Sequence, residues 1–70
     1  MTIQFDKALY SEQAVKQAIA DYEELAKIKM ESTSDTCSCT VLKSRYPLKT
    51  TALEFSNYVL ILTVMSEKKT

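Results

Sequence analysis

Apolar and polar residues alternate over the first positions of the chain. Between Thr2 and Asp6, Ile3 and Phe5 fall on one side of an extended segment, and polar residues fall on the other. Successive side chains of a strand point to opposite faces, so this alternation predicts a short strand with one buried face. Residues 7–10 then predict a connection.

The apolar spacing changes to three and four residues after Tyr10. Ser11 can act as an N-cap because its hydroxyl can accept from a free N–H of the first turn, and Glu12 follows at the positive end of the helix dipole. Tyr10 and Val15 have the spacing of a hydrophobic staple. One helical face collects Val15, Ala18, Ile19, Tyr22, Leu25 and Ala26. This pattern predicts a helix from about Glu12 to Leu25.

Two further alternating segments follow. Residues 26–31 place Ala26, Ile28 and Met30 on one face, and residues 37–42 place Cys37, Cys39 and Val41 on one face. The polar stretch at 32–36 separates them. Two alternating segments around five turn residues predict a β-hairpin.

The last third of the chain predicts a loop and a second helix. The loop is placed at 44–50, around the single proline, Pro47. Thr51 and Glu54 have the spacing of a capping box, which favours a helix start at that point. Residues 58–64 are rich in β-branched and aromatic types and could alternatively form a buried strand, but the cap leaves too little room for both elements. The polar tail at 67–70 is expected to fray.

This second helix has two apolar stripes rather than one. The first consists of Ala52, Phe55, Tyr58, Val59, Leu62 and Met65, and the second of Leu53, Leu60, Ile61 and Val64. Both stripes cannot face one small sheet, so the second predicts a protein–protein surface. The alternative is that helix rotation and the loop at 46–48 hide part of it.

The predicted order is therefore β-α-β-β-α. We expect one α+β domain spanning residues 1–70, with a three-stranded sheet and both helices on one face of it. A chain of this length has room for a single small core.

Composition then excludes several classes of function. Nine basic and nine acidic residues leave no net charge, which argues against nucleic-acid binding and mildly favours self-association, including a homodimer. The absence of His and Gly removes His-based nucleophile pairs and glycine-rich phosphate loops, so we expect no enzyme and no cofactor. No run of about 18 apolar residues predicts a membrane span, and no signal peptide is apparent at the start, so a cytoplasmic location is expected.

Cys37 and Cys39 form the one candidate metal-binding group. A thiolate pair could bind a soft metal such as Cu(I) or Zn. Two ligands do not complete a tetrahedral site, and the spacing projects both thiols toward the helices. Small buried side chains are therefore the favoured interpretation.

Two segments resemble the HxsD family of His-Xaa-Ser systems. The first runs from Phe5 to Val15 and matches at Asp6, Lys7, Tyr10, Ser11, Ala14 and Val15, although Gln13 stands where the family more often has Glu. The second is Leu53 to Leu60, which is similar to a helical segment of the family. The resemblance implies a small protein found with radical-SAM-type maturation proteins.

This chain has neither the three-cysteine loop of the radical enzyme nor the His-Xaa-Ser repeat of the substrate, so the resemblance implies an accessory or peptide-presenting component. We therefore predict a non-enzymatic adaptor that binds a protein or peptide partner through Leu53, Leu60, Ile61 and Val64. The alternative is a ferredoxin-like ligand or soft-metal module that uses Cys37 and Cys39.

Overall fold

The computed structural model of the chain describes residues 1–67 and confirms the predicted order of elements. The elements are β1 (Thr2–Asp6), α1 (Glu12–Asp21), β2 (Ala26–Ser32), β3 (Thr36–Ser44) and α2 (Leu48–Glu67). The remaining residues of the polar tail lie outside the described residues.

The sheet has the order β1-β3-β2, and both pairings are antiparallel. The hairpin strand β3 therefore lies between β1 and β2, which run parallel to each other on either side of it. Cys39 stands opposite Ile3 on one neighbour and Met30 on the other, so the predicted apolar positions share one face of the sheet. Both helices pack on that face.

Buried side chains of β1, α1, β3 and α2 meet in one cluster between the helices and the sheet, and the partly buried Ile28 and Met30 of β2 pack against it. Its members are Phe5, Val15, Ala18, Cys37, Cys39, Phe55 and Val59. The ring of Phe55 meets Phe5 and Tyr22 edge to face, with ring centroids 6.0 Å and 5.4 Å apart. Such pairs add geometric preference to simple apolar burial, so Phe55 joins α2 to β1 and to the end of α1.

α1 ends earlier than the periodicity predicts. Its last helical residue is Asp21 and Tyr22 is its C-cap, so the prediction that it reaches Leu25 is wrong. The carbonyl of Leu25 accepts from the N–H of Arg45 at 2.9 Å, just beyond β3. The backbone of Leu25 is therefore hydrogen-bonded beside the sheet, so the helix must end before this residue.

α2 begins at Leu48, so the capping box at Thr51 and Glu54 is wrong. The N–H of Thr51 donates to the carbonyl of Pro47 at 3.1 Å, which places Thr51 inside the first turn. Proline at a helix start is compatible with the helix because its φ is suitable and its missing N–H would have no helical partner. Residues 58–64 are helical throughout, so the preference for a helix over a buried strand is confirmed although the capping box behind it is wrong.

The side chain of Thr51 has a structural role instead. It is buried, and its hydroxyl lies 2.5 Å from the hydroxyl of Ser44 at the end of β3. This hydrogen bond ties the first turn of α2 to the sheet.

Candidate interaction surface on the C-terminal helix

α2 presents one face to the core and leaves the opposite face open. The buried residues are Thr51, Ala52, Phe55, Val59 and Thr63. We define the outer stripe as Leu53, Leu60, Ile61 and Val64. Their exposed fractions are 65%, 46%, 54% and 41%, respectively. The prediction that these four side chains lie away from the core is confirmed, and their role in binding stays a prediction.

The loop before α2 does not cover the outer stripe. Tyr46 and Leu48 are themselves exposed large apolar side chains, and the four aliphatic side chains of the stripe stay accessible. Met65 also departs from the sequence prediction. The helical spacing places it with the core residues, yet it is exposed near the end of α2.

Thr63 is a core-facing residue that the apolar pattern missed. Its side chain is buried, and its hydroxyl accepts the backbone N–H of Ser11 at 3.2 Å. The position lies one turn after Val59, so helical geometry alone could have placed it on the core face. The apolar pattern missed Thr63 because that pattern counts only hydrophobic side chains.

The side of α2 that meets α1 is also occupied. Tyr58 donates its hydroxyl to the carboxylate of Asp21 at 2.5 Å, and its ring lies 5.7 Å from that of Tyr22. The hydrogen bond to Asp21 is the main reason that the pKa of Tyr58 is raised, because it favours the protonated phenol. The core covers one side of α2 and α1 covers a second, and the outer stripe stays exposed.

Polar residues flank the outer stripe, and one of them, Asn57, lies within it between Leu53 and Leu60. Lys49, Thr50, Glu54 and Asn57 are all exposed on α2. Within residues 1–66 the ion pairs both belong to Glu12, which meets Lys7 and Lys16. Neither Lys49 nor Glu54 is therefore paired within that part of the protein.

The two cysteines lie in the core, as the favoured interpretation predicts. Both are free and buried, and Cys37 stands opposite Phe5 on β1. Burial, with the neighbouring Cys37 as the second cause, raises the pKa of the Cys39 thiol to about 11. A thiol that stays protonated is a poor nucleophile and metal ligand. Residues 1–66 contain no cluster of three or more Cys, Asp or Glu side chains suited to a metal ion.

A cleft of about 550 Å³ lies between α1 and β2. It is lined by Lys16, Ile19, Ala20, Glu23, Ala26, Lys27 and Ile28. This lining offers no hydroxyl or thiol for nucleophilic chemistry, and its charged groups lie at exposed positions.

No protein-family model, curated protein or solved structure matches this sequence. Among the described residues, neither helix has the length and apolar character needed to span a bilayer. The fold and the outer stripe are therefore the observations on which a function can be based.

Proposed function

We propose that this protein is a non-enzymatic adaptor that binds a protein or peptide partner through the outer stripe of α2. The observation that carries the proposal is the exposure of four aliphatic side chains, Leu53, Leu60, Ile61 and Val64, on one helix. Contiguous exposed apolar side chains are typical of interaction surfaces.

The energetics support binding at this surface. Apolar area removed from water contributes about 25 cal/mol per Å², so covering four aliphatic side chains is worth several kcal/mol before association costs. The stripe lies on a helix whose other face holds Phe55 and Val59 at the centre of the core. The core thus orders the surface before a partner arrives, which lowers the entropic cost of binding.

The shape of the surface favours a helical partner. A helix presents a convex ridge of side chains, and another helix can place its own side chains into the grooves beside that ridge. Amphipathic helices bind in this way through apolar residues spaced three and four apart. An extended peptide that binds by strand addition would instead need free backbone groups, and the main chain of α2 is already hydrogen-bonded within the helix.

The HxsD resemblance supplies the candidate setting for this partner. We propose that the protein acts in a radical-SAM-type maturation system of the cytoplasm, as an accessory to the modifying enzyme or to its substrate. The segment that carries the second half of the resemblance, Leu53 to Leu60, includes two residues of the outer stripe.

The proposal is tested by comparing the intact protein with a matched pair of variants as bait in extracts of the native host. Leu60→Lys with Val64→Lys changes the outer stripe, and Lys29→Glu with Glu31→Lys changes exposed charges on β2. We expect the partner to be lost from the first bait and kept by the second. Hydrogen exchange of the reconstituted complex should then show protection along α2. Binding that survives the stripe substitutions, or protection confined to the sheet, would contradict the proposal.

A further inference from the structure

The exposed residues of α2 follow a second, more specific spacing. Thr50, Leu53, Asn57, Leu60 and Val64 are separated by three, four, three and four residues. This is the a/d repeat of a coiled coil, with Leu53 and Leu60 at d positions and the others at a positions. All five side chains are exposed, so the repeat lies on the open face of the helix.

The residue types within the repeat indicate how many helices pair and in which direction they run. In a parallel coiled coil, a β-branched residue at a and Leu at d favour two helices over three or four, and Val64 and Leu60 fit that pattern. In a parallel pair Asn57 faces Asn57 of the other helix, where the two amides can hydrogen-bond. In an antiparallel pair Asn57 would face Leu60, which offers its amide no partner.

The flanking charges complement each other in the same arrangement. Relative to the repeat, Lys49 occupies a g position and Glu54 the e position five residues later. In a parallel pair each g residue meets the e residue five places on in the other helix, so Lys49 and Glu54 form two symmetric ion pairs. Both side chains are exposed, and neither has an ion-pair partner within residues 1–66.

The fold leaves room for such a pair. Phe55 and Val59 place the core on the side of α2 opposite the repeat, and Tyr58 holds α1 on another side. A two-fold axis parallel to α2 therefore puts the two domains on opposite sides of the helix pair. Two heptads are short for an isolated coiled coil, but each helix is already formed by its own domain and pays no nucleation cost on pairing.

We infer that the occupant of this surface is a second copy of the same chain, bound through a parallel two-helix seam with Asn57 at its centre. The inference rests on the proposed function in one respect, since it takes the open face of α2 to be a binding surface. It adds the identity of the partner, the direction of the helices and the residues that determine both.

Charge reversal in the full chain tests whether the two helices run parallel. We expect sedimentation equilibrium to show a monomer–dimer equilibrium for the unmodified protein. Lys49→Glu and Glu54→Lys should each weaken the dimer by about five- to tenfold, because each turns two attractive pairs into repulsive ones. Mixing these two variants should restore association, since both pairs become complementary in the heterodimer. Lys29→Glu, on the sheet, is the matched control and should leave the equilibrium unchanged.

Cysteine crosslinking tests the register. In a parallel seam Leu53→Cys faces itself and should give a disulfide-linked dimer under mild oxidation, whereas Cys37 and Cys39 are buried and should not react. In an antiparallel seam Leu53 faces Val64, and crosslinks should require a mixture of Leu53→Cys and Val64→Cys chains. Asn57→Asp should weaken the dimer because two carboxylates would then meet.

Two results would overturn the inference. One is a monomer at millimolar concentration, and the other is a dimer that crosslinks only in the mixed cysteine experiment. A monomer that still captures a host protein through Leu60 and Val64 would leave the proposed function standing while rejecting the second copy as the partner. If the unmodified protein is verified to be folded and shows neither a dimer nor capture of a host protein, the proposed function and the second copy are both rejected.

Discussion

The backbone N–H of Ser11 donates to the hydroxyl of Thr63, 3.2 Å away and 52 residues later in the chain. Ser11 also caps α1, because its hydroxyl accepts from the N–H of Ala14 at 3.3 Å. The start of one helix is therefore joined to the core face of the other by a chain of two hydrogen bonds. Thr63 is buried and Ser11 is partly buried, so without this hydroxyl the N–H of Ser11 loses its acceptor within the protein.

Thr63→Val should destabilise the protein by about 1–2 kcal/mol, because it leaves the N–H of Ser11 without its acceptor while keeping the size of the side chain. Thr63→Ser retains the hydroxyl and should recover the hydrogen bond, with a smaller loss from the missing methyl group. Urea denaturation with both variants measures the difference. A Thr63→Val variant as stable as the unmodified protein would show that the hydroxyl contributes nothing.

Ser11→Ala should lower the free energy of unfolding by about 1 kcal/mol, since the N–H of Ala14 loses its side-chain acceptor. Ser34→Ala, in the exposed turn between β2 and β3, is the matched control and should stay within about 0.5 kcal/mol. The denaturation midpoint reports both changes. A midpoint that does not move for Ser11→Ala would contradict the capping assignment.

Val64→Lys and Val59→Lys change the same residue type on two sides of α2. Val64 belongs to the outer stripe, so its variant should stay folded with stability within about 0.5 kcal/mol and should lose association. Val59 is fully buried, and an unpaired ammonium there should cost about 4 kcal/mol or more, enough to unfold a domain of this size. Circular dichroism and sedimentation separate the two outcomes. Unfolding of Val64→Lys would place that residue in the core and remove the support for an interaction surface.

The stability of the protein should fall as pH rises above 9. Burial is the main cause that raises the pKa of Cys39 from 9.0 to about 11, so between these values the folded protein keeps a proton that the unfolded chain releases. The contribution of the protonated Cys39 thiol to the free energy of unfolding is complete below pH 9 and is lost by about pH 11. It amounts to about 2–3 kcal/mol.

Urea denaturation at several pH values checks this dependence, and Cys39→Ala should flatten it. Val41→Ala is the control, because it removes buried apolar volume without removing a titrating group, and it should keep the slope. The pKa values of Tyr22 and Tyr58 are also raised, so a residual fall above pH 10 should remain in every variant. An unchanged slope in Cys39→Ala would show that its thiol does not carry the effect.

The thiols of Cys37 and Cys39 should be inert toward alkylation in the folded protein and reactive in urea, because both are buried. Cys37→Ala and Cys39→Ala should change stability modestly and leave metal content unaltered. Elemental analysis of the purified protein is the second measurement. Stoichiometric Zn or Cu that disappears in either variant would reverse the choice between the adaptor and the metal-binding module.

Local sequence patterns predict most of the secondary structure. Alternation at Ile3 and Phe5 and the capping serine at position 11 depend on neighbours in sequence, and the strand and helix start that they predict are confirmed. The two stripes of α2 also follow from helix geometry, since residues spaced three and four apart share a face in any helix. The outer stripe was therefore recognisable before the fold was known.

The ends of the helices and the choice between the stripes were decided by tertiary structure. α1 ends before Leu25 because the carbonyl of Leu25 pairs beside β3, and Thr51 lies inside α2 because its hydroxyl meets Ser44 from the sheet. Both interactions join residues of different elements, so the sequence around either residue does not reveal them. Which stripe is buried depends on the volume available: Phe55 fills the space between β1 and Tyr22, and one small sheet can cover a single face of the helix. The same physical limit leaves Leu60 and Val64 in contact with solvent.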